Sequence, residues 1–150
     1  DDDEMRLFLR YLRTLKGGVV YRTEWTIFGE AENIAGSIDF VIEDYQGNLV
    51  LIDWKRSKAL REKYFQNYRR QMRRDLHHLP DCRAVHYRLQ LNAYKYILQK
   101  YYGRIVSAMQ VVCTHPDNGD TAFVDEVPCM QKEIEALMQY QREKIHLGDI

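Results

Sequence analysis

Three side chains in the N-terminal half have the types and spacing for metal-assisted chemistry at phosphorus. In Leu49-Val50-Leu51-Ile52-Asp53-Trp54-Lys55 an apolar run ends in an acid and a base two residues apart. Successive strand side chains point to opposite faces, so Asp53 and Lys55 share one face and Trp54 turns to the other. Leu49 and Leu51 lead up to them on that face while Val50 and Ile52 line the opposite one, the pattern of a strand buried on both sides. Charges at the end of such a strand must meet each other, a metal or water in a cleft, because leaving one buried and unpaired costs several kcal/mol.

A second acid stands one hairpin upstream, in Ala35-Gly36-Ser37-Ile38-Asp39-Phe40, and a turn at Gln46-Gly47-Asn48 lays Asp39 beside the end of its neighbour. Two converging carboxylates suit Mg²⁺ or Mn²⁺, which take one or two acids, a backbone carbonyl and waters, and leave positions for phosphate. The Trp54 carbonyl is the candidate backbone ligand. A lysine two residues beyond the acid orients or helps deprotonate the attacking water and counters charge building on phosphorus. The reaction class these groups fit is phosphodiester hydrolysis.

The elements that must position them follow from periodicity. Met5, Phe8, Leu9, Leu12 and Leu15 space an amphipathic helix behind the acidic start Asp1-Asp2-Asp3-Glu4, ending at Gly17-Gly18. Three β-rich runs, Val19 to Phe28, Ile34 to Glu43 and Asn48 to Trp54, predict an antiparallel meander. Val85 to Tyr102 reads as a helix closed by Gly103, Ile105 to Cys113 and Thr121 to Val127 as strands, and Met130 to His146 as a last helix. The order α-β-β-β-α-β-β-α predicts an α/β three-layer domain, a central mixed sheet flanked by helices. Between the third strand and the second long helix lies a basic stretch, Lys58, Arg61, Lys63, Arg69, Arg70, Arg73 and Arg74, interleaved with Tyr64, Phe65 and Tyr68. Cations among aromatics suit nucleic acid, single strands especially, although a charge run is also an ordinary solvated face.

Gly36-Ser37-Ile38-Asp39 followed by Ile52-Asp53-Trp54-Lys55 resembles the PD-(D/E)XK nuclease signature. Gln90-Leu91-Asn92-Ala93-Tyr94 resembles the Q-x-x-x-Y motif of its RecB-like and lambda-exonuclease-like branch, and Tyr21-Arg22-Thr23-Glu24-Trp25 the first-strand acid of that branch. The likeness runs from about Val20 to Tyr102, more loosely to His115-Pro116-Asp117-Asn118, and points to phage-type recombination exonucleases and their relatives in large DNA viruses. It implies a restriction-endonuclease-like fold, one or two Mg²⁺ or Mn²⁺ ions, DNA as partner, a 5′-phosphate product, work in DNA repair or recombination, and a virus- or mobile-element-encoded source. Carried over residue by residue, it makes Asp39, Asp53 and Glu24 metal ligands, Lys55 the catalytic lysine, and Gln90 and Tyr94 a pair at i and i+4 on one helical face that holds phosphate or orients the acids.

Composition bounds these expectations. A chain of 150 residues encloses one sizeable core, so one domain over residues 1–150 is expected, cut from a longer polypeptide because it opens without Met. No apolar run approaches the roughly 20 residues of a membrane span. Formal net charge is zero, so attraction to phosphate rests on uneven charge placement. Cys82, Cys113 and Cys129 are odd in number and scattered, which argues for an intracellular compartment, cytoplasmic or nuclear, and against the four-cysteine iron–sulfur cluster that some RecB-like nucleases carry. No Gly-rich nucleotide loop is present. His77 and His78 with Cys82 make an incomplete zinc set, and His86 reads as a solvated or packed ring. The competing functions are a catalytically silent nucleic-acid-binding module, an interaction scaffold, and an RNA endonuclease of the cap-snatching kind.

Overall fold

The acidic start and the apolar spacing behind it form α1 (Asp2–Thr14). Its buried stripe is Leu7, Phe8 and Tyr11, with Leu12 and Leu15 partly covered, whereas Met5 and Leu9 are exposed. The helical period is the expected one, but the stripe is rotated. Leu7 and Tyr11, one turn apart, flank Phe8 and together with it cover the sheet better than Met5 and Leu9 do. The computed structural model describes residues 2–15, 17–56, 64–65, 71–72, 76, 78–115 and 122–146.

The expected meander is β1 (Val19–Gly29), β2 (Ile34–Glu43) and β3 (Leu49–Lys55), paired antiparallel in turn. Its second turn is specified locally. Asp44 Oδ1 accepts the backbone N–H groups of Gln46 and Asn48, both at 2.9 Å, and Gly47 takes φ 79°, which favours glycine. That turn sets the register Phe40 to Ile52 and Glu43 to Leu49, and so brings Asp39 to the level of Asp53.

The chain then crosses over through α2 (Arg83–Tyr101) to β4 (Val106–Cys113), parallel to β3, and returns antiparallel in the short β5 (Phe123–Glu126) before α3 (Gln131–His146). The five-stranded mixed sheet has the order β1-β2-β3-β4-β5. Phe8 and Tyr11 of α1 pack on one face against Ile42, Ile52 and Val112, while α2 and α3 cover the other with Leu91, Ile97, Leu98, Ile134 and Met138 against Ile38, Leu49 and Leu51. The result is the three-layer α/β arrangement with the expected element order. Strand β3 is central and apolar on both faces, as its alternation predicts.

Among the described residues no helix is long and apolar enough to cross a membrane. Lys58, Arg61, Lys63, Arg69, Arg70, Arg73 and Arg74 lie outside the described residues, as do Tyr68, His77 and Pro116-Asp117-Asn118.

Candidate active site

Strand alternation puts Asp53 and Lys55 on the α2 side of the sheet and Trp54 on the α1 side. There the Trp54 ring stacks on Phe8 at 4.2 Å and its Nε1 donates to Thr114 Oγ1 at 2.6 Å. The N–H of Thr114 donates to the Lys55 carbonyl at 3.0 Å, so the end of β3 is held on both sides of the pleat. From this fixed end Lys55 Nζ reaches to 3.1 Å from Asp53 Oδ2. The ammonium offsets the charge at ion-pair distance, yet Oδ2 is buried and has no aligned hydrogen-bond donor.

Asp39 joins them where the β2–β3 ladder ends. Instead of a strand partner, the Trp54 N–H finds Asp39 Oδ2, at 2.8 Å. Burial raises the Asp53 carboxyl, the Lys55 charge pulls it back, and the neighbouring Asp39 carboxyl raises it again, for a net position of about 6. A buried carboxylate with an oxygen that no aligned donor satisfies, and a second carboxylate beside it, fit a divalent metal by the chemistry of their donors.

Glu24 stands next to Asp39 in register, between the paired positions Thr23–Phe40 and Trp25–Ile38. It is exposed, and its φ of 49° is a left-handed value inside a strand, which for a non-glycine residue costs about 1–2 kcal/mol. Among the described residues no group of three or more acid, His or Cys side chains is close enough to hold a metal. The structure therefore brings Asp39, Asp53 and Lys55 together and leaves Glu24 outside their cluster.

Gln90 and Tyr94 share a face of α2, as their spacing requires. Tyr94 is 7% exposed; its hydroxyl is raised by burial and by the charges of Asp53 and Asp39, and it meets the Ser37 backbone and the Gln90 side chain. The glycine of Gly36-Ser37-Ile38-Asp39 makes room for this ring: a Cβ at Gly36 would stand 2.2 Å from Tyr94 Cε1. Gly36→Ala is expected to displace the ring, destabilise the fold by about 1–3 kcal/mol and lower cleavage more than it lowers the melting midpoint. Thermal melts beside a cleavage assay check this, and an unaltered variant would mean the ring is free to shift.

Several site-shaping residues escape sequence reasoning. Asn92 is 3% exposed; its Nδ2 donates to the Arg88 and Pro128 carbonyls and its Oδ1 accepts the Met130 N–H at 2.7 Å, fixing where α3 starts. Asp125 of β5 accepts Arg88 Nε and Nη2 at 2.8 and 2.6 Å, together with the Tyr64 hydroxyl. Tyr64 corrects an expectation: its ring is fully enclosed and so has no free face on which a base could stack. Phe65 beside it is exposed, under the Arg88 guanidinium. An apolar-lined position such as Tyr64 gives no sign in the sequence of which long-range acid will bury it. His86 pairs with Asp81 at 2.6 Å on the surface, an ordinary solvated position.

No curated protein matches the chain. A family comparison matches it to the PD-(D/E)XK nuclease superfamily over residues 3–149. Because that match spans nearly the whole chain and the signature residues Asp39, Asp53 and Lys55 meet at the end of β3, the chain belongs to the PD-(D/E)XK nuclease superfamily.

Proposed function

We propose that the protein is a Mg²⁺- or Mn²⁺-dependent DNA exonuclease of the RecB-like and lambda-exonuclease-like branch. PD-(D/E)XK nucleases generally use divalent metals such as Mg²⁺, and the superfamily implies binding to nucleic acid. The observation that carries the reading is the meeting of the buried Asp53 carboxylate, whose Oδ2 has no aligned hydrogen-bond donor, with Asp39 and Lys55 at the end of β3. The motifs Gln90-Leu91-Asn92-Ala93-Tyr94 and Tyr21-Arg22-Thr23-Glu24-Trp25 support the branch.

Asp39, Asp53 and the Trp54 carbonyl would hold the ion, and Glu24, level with Asp39 on the next strand but outside the cluster, would have to move to join them. When bound, the ion supplies Lewis-acid stabilisation of charge at the phosphoryl oxygens. Lys55 Nζ orients the attacking water and donates to the oxygen on which negative charge grows. The Tyr94 hydroxyl and the Gln90 amide steady the carboxylates or the phosphate. The water oxygen bonds to phosphorus and releases a proton to solvent, the bond from phosphorus to the 3′ oxygen breaks, that oxygen takes up a proton from solvent, and a 5′-phosphate remains.

The test uses end-labelled linear single- and double-stranded DNA, closed circular DNA and RNA, each with Mg²⁺ or Mn²⁺. Linear DNA should shorten from an end while circles and RNA stay intact. Cut circles would make the protein an endonuclease and cut RNA a ribonuclease. Retention of DNA with no cutting under either ion would make it a silent binding module.

A further inference from the structure

We infer that Tyr87 is a positioning residue for Lys55, its ring face holding the ammonium in place; the inference rests on the role given above to Lys55. Lys55 Nζ lies 4.3 Å from the centroid of the Tyr87 ring, close enough for attraction between the cation and the negative face of the π system. The same nitrogen is 3.1 Å from Asp53 Oδ2. Two contacts of different kinds thus hold one flexible four-carbon side chain, of which 27% is exposed.

The ring is itself fixed from behind. Tyr64 packs against it at 6.2 Å between centroids, 30° from parallel, and also makes edge contact with Phe123 at 5.3 Å. The Tyr64 hydroxyl donates to Asp125, the Tyr64 carbonyl accepts the Ala84 N–H at 2.9 Å, and Asp125 is gripped by Nε and Nη2 of Arg88. Arg88 is the residue after Tyr87 on α2. A continuous run of fixed groups therefore leads from β5 through Tyr64 and Tyr87 to the Lys55 ammonium.

The chemistry gives the ring a task that Asp53 cannot do alone. Asp53 is shared: a carboxylate that turns to a divalent cation gives up part of its hold on Lys55. A further acid would restrain the lysine but would add negative charge against an incoming phosphate. A neutral aromatic face restrains the ammonium without adding charge, and it remains in place when Asp53 is engaged elsewhere.

Tyr87→Leu and Tyr87→Met remove the face, and Tyr87→Phe keeps it. In metal-free protein, Lys55 acylation by a brief pulse of an amine-acylating reagent, read by peptide mass spectrometry, should rise severalfold in the Leu and Met variants, which no longer cover the amine. In Tyr87→Phe it should match the wild type, and the other lysines should label alike throughout. With Mg²⁺ and DNA, kcat should fall about tenfold in the Leu and Met variants at unchanged KM, with most of it restored in Tyr87→Phe. Lys55 labelling that ignores the ring, or an unchanged kcat in a folded non-aromatic variant, overturns the inference. If instead the wild type cuts nothing while the labelling responds as expected, the contact stands and it is the nuclease reading that falls.

Discussion

Asp53→Asn is expected to lower cleavage by at least about a thousandfold, while the metal-free variant should melt no lower than the wild type near neutral pH. The first half follows from the loss of the carboxylate that would bind the ion. The second follows from the position of the Asp53 carboxyl, raised by burial and by Asp39 to about 6. A folded-state value above the unfolded one means that the native state holds this proton more tightly. Ionisation therefore costs stability as pH rises from about 4 through about 6, and the full cost is present at neutral pH. Asparagine has the same shape and nothing to ionise.

The gain from removing that charge is about 1–3 kcal/mol, with the opposing pull of Lys55, itself weakened by the lysine's partial exposure, already included. At roughly 2–4 °C per kcal/mol, the variant should match or exceed the wild-type midpoint at about pH 7.5 and lose its advantage toward pH 4. Adding Mg²⁺ should raise the wild-type midpoint and leave the variant where it was. A variant that still cleaves DNA would move the site elsewhere on the molecule. One that melts well below the wild type would make Asp53 and Lys55 a structural pair whose partner cannot be spared.

What could be read from the sequence was what local rules determine. Asp53 and Lys55 share a face because strands alternate, and Asp39 reaches them because Asp44 and Gly47 set the hairpin register. Gln90 and Tyr94 meet because a helix brings i and i+4 together. The groups that hold this frame from outside obey no such rule. Tyr64 and Asp125 are 61 residues apart, and Asn92 and Met130 are 38 apart, so neither pairing leaves a period or spacing to find. Gly36 did carry a signal, since a glycine inside a strand marks a close approach, but nothing local names Tyr94 as the group approaching. The stripe of α1 was misplaced for a related reason: with Met5, Leu7, Phe8, Leu9, Tyr11 and Leu12 all apolar or aromatic, the period survives several rotations and only the sheet selects one.

Glu32→Gln should be the most damaging single change away from the active site. In the sequence Glu32 is a turn acid between β1 and β2; in the fold its side chain is fully buried. Its carboxylate accepts the Tyr96 and Tyr101 hydroxyls at 2.9 and 2.5 Å, Lys100 Nζ at 2.9 Å and Arg142 Nη1 at 2.6 Å. Burial alone would raise this carboxyl, but the four donors outweigh it and bring it down to about 2. The cluster fastens the β1–β2 turn to the end of α2 and to α3, across as many as 110 residues of chain. Glutamine removes the negative charge, turns an NH₂ group toward a ring of donors and leaves two cations facing each other. Partial exposure lets Lys100 and Arg142 recover some hydration, so a loss of about 2–4 kcal/mol is expected, below the upper range for a broken buried pair. Because the folded value lies below the unfolded one, the contribution of Glu32 is complete above about pH 4.5 and fades as pH falls toward about 2. Melts of wild type and variant should therefore differ by roughly 4–16 °C near pH 7 and converge in acid. Equal midpoints at neutral pH would reduce the cluster to solvated ion pairs, and a gap that widened on acidification would show that its carboxylate is not the group being titrated.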